Sequence, residues 1–293
     1  MAERMVKANG IDVWCEDFGD PADPTILLVM GATAQGILWP EDFCELLVQG
    51  GRHVIRYDNR DTGQSTCRDY AEHPYTVSDM AADAIGVLDA FGVDAAHVVG
   101  ASMGGMIGQA LAIEHPGRVL TLTSMMSSPG GAAVAEALSV DGSGAPAALP
   151  PPEQKVIDVM MARMAEPPVT RQQRLDAAVE MWRALSGTTD AFDEAAVRAR
   201  EERALDRASN PDASMNHSFA VASSPDRTEA LGQVTTPTLV IHGTADPILP
   251  FGHGEATAKA IPGAQLMAIE GMGHDLPPSV LEPIATAILT HTA

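Results

Sequence analysis

The chain has 293 residues, 45% of them hydrophobic and 19% charged, which fits a globular protein with a sizeable core built as one large domain or a domain with an insertion. A formal net charge of −21 repels nucleic acid and anionic membrane surfaces, and argues against both as partners. No run approaches the roughly 18 apolar residues of a membrane span, and no apolar stretch of signal-peptide length follows Met1.

Met5–Lys7 and Ile11–Glu16 read as two strands around Asn9-Gly10, a pair that accepts the backbone of a two-residue hairpin turn. Prolines and carboxylates make Asp20–Pro24 a loop. Thr25–Met30 is a continuous apolar run, as expected of a strand buried on both faces. Trp39–Gln49 places Phe43, Leu46 and Leu47 on one side of a helix. His53–Tyr57 is the next strand and opens into the polar loop Asp58–Ser65. Val77–Phe91 carries Met80, Ala84, Val87, Leu88 and Phe91 at helical spacing, and Gly92 ends it. Val98 and Val99 close a short apolar run, followed by a tight Gly-rich turn and the helical stretch Met106–Ile113. Val119–Met125 is a further strand. Helices alternating with buried strands imply an α/β fold: a mostly parallel twisted sheet with right-handed crossovers.

Between about Ser127 and Pro225 the alternation breaks. Pro129–Gly131 and Gly142–Pro152 are loops by composition, and Glu153–Ala165, Arg171–Leu185 and Asp193–Ala208 are helical. Residues 127–225 therefore read as a helical cap inserted into a core made of residues 1–126 and 226–293. Alternation resumes with the strand Pro237–Ile241, a helix near Gly254–Ala260, the strand Gln265–Ile269 and a last helix, Pro278–Thr290.

The turn after Val99 is Gly100-Ala101-Ser102-Met103-Gly104. Gly-x-Ser-x-Gly between a strand and a helix is the context of a nucleophile elbow, a turn so sharp that the serine backbone is strained and flanking side chains would collide with their neighbours. A serine hydroxyl needs a base, and the base needs a carboxylate to fix its tautomer. Sites in open α/β sheets gather at the carboxyl ends of strands. After Pro237–Ile241 comes Asp246-Pro247, and after Gln265–Ile269 comes Gly271-Met272-Gly273-His274. Ser102, Asp246 and His274 are thus the expected nucleophile, acid and base, in the chain order of an α/β-hydrolase. No acid follows Val119–Met125 to compete. The oxyanion donors expected are the amide of Met103, just past the nucleophile, and that of Ala32 in the loop after Thr25–Met30. No His, Cys or carboxylate set has metal-ligand spacing, so no metal and no cofactor is expected. Cys15, Cys44 and Cys67 are odd in number and outside any Cys-x-x-Cys pair, and read as reduced, buried thiols of a cytoplasmic protein.

With these residues in hand, the chain resembles capped α/β-hydrolases, specifically the aclacinomycin methylesterase group of Streptomyces anthracycline pathways. The matching pieces are Asp17–Pro24, Leu28-Val29-Met30-Gly31, His53–Asp58 with Arg60–Gly63, Ala96–Gly100 with Ser102-Met103-Gly104, Leu185-Ser186-Gly187-Thr188, Pro237–Ile241 with Asp246-Pro247-Ile248, and Gly271–His274. Met30-Gly31 stands where many α/β-hydrolases have His-Gly, and the group shares it. Ala32-Thr33 and much of Gly130–Pro152 depart from the group's pattern. The resemblance implies hydrolysis of the methyl ester of an aromatic polyketide, releasing methanol and a free acid. The small-molecule ester is then the only partner expected, with the chain a monomer or weak dimer. Gly31, Thr33, Met160, Met164 and Trp182 are expected to line the substrate pocket, since the thioethers of Met160, Met161, Met164 and Met181 adapt to flat aromatic surfaces. The same triad would also serve an enol-lactonase, a general carboxylesterase or a cofactor-free haloperoxidase. A non-catalytic ligand-binding relative is the alternative of a different class.

Overall fold

The computed structural model describes residues 2–130 and 149–293. Strands β1 (Ala2–Ala8) and β2 (Ile11–Phe18) pair antiparallel with Ala8 opposite Ile11. That register leaves Asn9 at φ 47° and Gly10 at φ 78° as the two turn residues, the backbone whose twist matches paired strands. Strands β3 (Thr25–Val29), β4 (His53–Tyr57), β5 (Ala96–Ala101), β6 (Val119–Met125), β7 (Thr238–Gly243) and β8 (Gln265–Ile269) run parallel to one another. β2 joins β4 antiparallel. The sheet has eight strands in the order β1-β2-β4-β3-β5-β6-β7-β8. From β3 the chain steps outward to β4, then returns to β5 on the other side of β3. The segments leaving β3 and β5 therefore emerge side by side at the carboxyl edge, at the switch point where sites of such sheets gather.

Helices α1 (Glu41–Gln49), α2 (Val77–Phe91) and α3 (Met103–Glu114) belong to the first half. Between β6 and β7 lie α4 (Gln154–Ala165), α5 (Arg171–Leu185), α6 (Glu194–Arg207), α7 (Asn216–Ser223) and the short α8 (Thr228–Leu231); α9 (Gly252–Ala260) and α10 (Pro278–His291) follow. Period-two alternation divides the core between the two faces of the sheet. Leu27 and Val29 of β3 pack with Met80 and Leu88 of α2 and Ile107 and Leu111 of α3. Ile26 and Leu28 pack with Phe43 and Leu47 of α1 and Ile284 and Ile288 of α10. Helices on both faces explain why β3, β4 and β5 are buried at every residue. α2 begins on a capping box, with Thr76 accepting from the Asp79 amide, and ends on left-handed Gly92.

Several local expectations shift. The helix expected from Trp39 starts at Glu41, because Pro40 caps it and Gly36–Leu38 forms a separate 3₁₀ turn. α3 begins directly after Ser102 rather than at Met106. α7 was not expected. Cys15 and Cys44 are buried as expected, but Cys67 is only half-buried. The loop expected at Gly142–Pro152 falls, up to residue 148, outside the described residues.

Candidate active site

Ser102 joins β5 to α3 with φ 56° and ψ −120°. A non-glycine residue there costs on the order of 1–3 kcal/mol and persists only where its surroundings hold it. Three contacts do so. The Ser102 amide donates to Met125 O at 2.8 Å, Ser127 Oγ donates to Ser102 O at 2.8 Å, and the Gly105 amide donates to the same carbonyl at 2.9 Å. The neighbouring glycines are fixed by space. A Cβ on Gly100 would strike the Gly104 carbonyl, and one on Gly104 would strike the Val29 carbonyl. The loop leaving β3 passes close by: a Cβ on Gly31 would lie 3.0 Å from that of Ser102. The Met103 amide opens α3 and so has no carbonyl four residues back to bond. It points from the positive end of the helix.

Asp246 and His274 stand on the loops that leave β7 and β8. Asp246 is 2% exposed. Its Oδ1 accepts the amides of Ile248 at 3.0 Å and Leu249 at 2.9 Å. Its Oδ2 accepts His274 Nδ1 at 2.7 Å. With Nδ1 donating, the imidazole's basic nitrogen is Nε2. His242 Nε2 lies 3.5 Å from the same Oδ2 but bonds Leu249 O at 2.7 Å. Burial pushes the His242 pKa down, so it stays neutral beside the carboxylate. The two loops are tied together by the Ala245 amide on Met272 O at 3.1 Å and the Gly271 amide on Thr244 Oγ1 at 2.9 Å. Among the described residues, the Ser102 hydroxyl makes no hydrogen bond to the His274 ring. Of the other nearby acids, Asp61 is committed to the Tyr75 hydroxyl, the Arg68 amide and Asn216. Burial pushes the Asp275 carboxyl pKa up.

The segment that follows α5, between β6 and β7, reaches the same edge. The His274 amide donates to Leu185 O at 2.8 Å, and the Thr188 amide to Gly271 O at 2.7 Å. Gly187 lies against Gly271 and Gly273 so closely that a Cβ on it would strike both backbones. Met160, Met181 and Trp182 gather around Val156, Ala184 and Leu185. Trp182 donates to Glu201 at 2.8 Å and carries the Arg200 guanidinium over its ring. Met164 is not brought to this group; it is 71% exposed, and Met161 is 55% exposed. Helical spacing marks a face of α4 but not which way that face turns. Thr33, expected in the pocket, adopts φ 63° and gives its amide to His217 Nδ1 at 3.0 Å. Sequence reasoning missed Leu185, Gly187 and His217 as neighbours of the site. The Leu185–Thr188 match was the one signal that could have pointed to the first two.

A family model of the alpha/beta hydrolase fold matches residues 24–278. The chain belongs to the alpha/beta hydrolase family. It is 43% identical to rhodomycin D methylesterase DnrP of Streptomyces peucetius, over 100% of this chain and 98% of that protein. It is 42% identical to rhodomycin D methylesterase DauP of Streptomyces sp. strain C5, over the same shares. Among solved structures, the esterase EaEST of Exiguobacterium antarcticum superposes with TM-score 0.78 at 19% identity, over 99% of each chain. The enol-lactonase of Burkholderia xenovorans LB400 gives TM-score 0.75 at 21% identity, over 98% of this chain and 99% of that one. At such identities these two speak for the fold alone. Helices α4–α8 lie between β6 and β7, and the Asp246 loop follows β7.

Proposed function

We propose that this alpha/beta hydrolase is a serine methylesterase that removes the methyl group of a carbomethoxy-bearing aromatic polyketide of the anthracycline type. The observation that carries the chemistry is the short bond from His274 Nδ1 to buried Asp246, on the sheet edge that also presents strained Ser102. The two full-length relatives named as rhodomycin D methylesterases support the substrate class, and make rhodomycin D itself the first ester to try.

In this reading Ser102 Oγ attacks the ester carbonyl while His274 Nε2 takes its proton, and Asp246 stabilises the imidazolium that results. The charge on the tetrahedral oxygen is met by the amides of Met103 and Ala32. Collapse expels methanol, protonated by His274, and leaves an acyl-enzyme on Ser102. Water activated by His274 then releases the acid. Residues 127–225 act as a cap that sets substrate choice, with Gly31, Met160 and Trp182 toward the pocket. A reaction on a small molecule by groups of the chain alone calls for no metal or cofactor. Free Cys15, Cys44 and Cys67 fit a cytoplasmic setting.

Fluorophosphonate labelling tests the nucleophile. The wild-type chain should be modified on Ser102 and the Ser102→Ala variant not at all. A folded chain that resists labelling would favour a ligand-binding relative without turnover.

A further inference from the structure

The loop that leaves β3 is bonded to residues on either side of it. It turns at Thr33, a non-glycine residue at φ 63°, one position past the Ala32 amide assigned to the oxyanion. Left-handed backbone at threonine persists only where something outside fixes it. From the core, Asn59 Nδ2 donates to Met30 O at 2.9 Å and the Gly36 amide donates to Asp58 Oδ1 at 2.8 Å, while the bond at Thr33 itself comes from the helices between β6 and β7. His217, on α7, is 0% exposed. Its Nδ1 accepts the Thr33 amide at 3.0 Å, and its Nε2 donates to the Arg60 carbonyl at 2.7 Å. One nitrogen accepting and the other donating define a single neutral tautomer. The charged groups nearest the ring are Arg60, bound to Asp83, and Asp61, bound to Tyr75 and Asn216. Burial pushes the ring's pKa down, which keeps Nδ1 an acceptor. Two residues further on, Gln35 donates to Ala204 O of α6 at 2.6 Å and accepts from Arg207 at 2.6 Å.

We propose that His217 is a positioning residue for the reaction: by accepting the Thr33 N–H it holds the Ala32 amide where the tetrahedral oxygen forms. This rests on the reading of Ser102 as nucleophile and Ala32 as oxyanion donor. It gives the inserted helices a part in the chemical step besides substrate choice. Loss of one oxyanion donor outright costs roughly 10²–10³ in kcat, so a displaced donor should cost about 10- to 100-fold.

Two variants test it. His217→Phe keeps the ring's shape and removes both nitrogens. His217→Asn keeps an acceptor near the place of Nδ1 and removes the bond to Arg60. The readouts are kcat and KM on a methyl ester, and affinity for a trifluoromethyl ketone, whose hemiketal with a serine places an oxyanion in the hole. His217→Phe should lose about 10- to 100-fold in kcat and by the same factor in ketone affinity, with KM within about threefold. His217→Asn should keep both near the wild-type values. Loss in His217→Asn equal to that in His217→Phe, or loss in KM alone, would overturn the proposal. If His217→Phe does not fold, His217→Asn decides by itself: a tenfold fall in its kcat and ketone affinity overturns it. Ser102→Ala run alongside separates the two levels, because turnover surviving in that variant defeats the underlying reading whatever His217 does.

Discussion

At the scale of single residues, Asp246 does two jobs with one carboxylate. Oδ1 holds the turn through the Ile248 and Leu249 amides, and Oδ2 holds His274. Asp246→Asn would keep the first job and invert the second. An amide nitrogen facing Nδ1 forces the imidazole to accept there and to carry its proton on Nε2, the atom that takes the serine proton in the proposed reaction. We expect kcat to fall by about 10⁴-fold, with KM and thermal midpoint close to wild type. Turnover within about tenfold of wild type would remove Asp246 from the reaction. The places of Ser102, Asp246 and His274 were legible because each follows a strand whose apolar run is plain in the sequence. His217 was not. Its role is to bond backbone atoms of Thr33 and Arg60, more than 150 residues away, and a backbone partner leaves no side-chain pattern to read.

At the scale of elements, three backbone segments stack at the sheet edge. The strap Leu185–Thr188 leaves α5, the loop Gly271–His274 leaves β8, and the loop Gly243–Asp246 leaves β7. Gly187 and Gly273 let the first two touch, and a Cβ on Gly243 would strike the Met272 carbonyl. Gly187→Ala must push the His274 loop away from the strap, since the clash is with backbone and not with a flexible side chain. A misplacement near 1 Å can cost about 10²-fold, so we expect kcat to fall by about 10- to 100-fold. The downfield proton resonance of His274 Nδ1 should weaken or shift, while KM changes little. An unchanged resonance and unchanged kcat would show that the strap is mere packing. Most elements were legible, with β4, β6, β8, α2 and α5 matching to the residue. The failures have local causes. α7 is eight residues long, starts from a 3₁₀ turn and has no side-chain cap. The start of α3 was missed because its capping residue is Ser102 itself, whose backbone at φ 56° is unlike an ordinary helix entry.

For the whole molecule, buried histidines contribute a dependence of stability on pH at the acid side. Burial lowers the pKa of His97 from 6.5 to about 4, and also lowers those of His217, His242 and His253. Such a ring binds its proton more readily in the unfolded chain. The folded state is therefore fully favoured above about pH 6.5 and loses stability as the pH falls from there toward 4. For His97 the shift is worth on the order of 3 kcal/mol across that window. Asp58, Asp83 and Asp275 are shifted up by burial and slope the other way, so a difference measurement is needed. Urea midpoints of the wild type should drop more steeply between pH 7 and about 4.5 than those of His97→Gln. Parallel curves would clear His97 of any part. The central claim, hydrolysis of a carbomethoxy group on an aromatic polyketide, is tested most directly by mass spectrometry. The purified chain is incubated with a carbomethoxy anthracycline, and the products are followed over time. Methylesterase action predicts a product lighter by one methylene, with methanol formed in equal amount and neither formed by Ser102→Ala. An anthracycline recovered unchanged, while the same preparation rapidly cleaves an enol-lactone or a simple aryl ester, would contradict it.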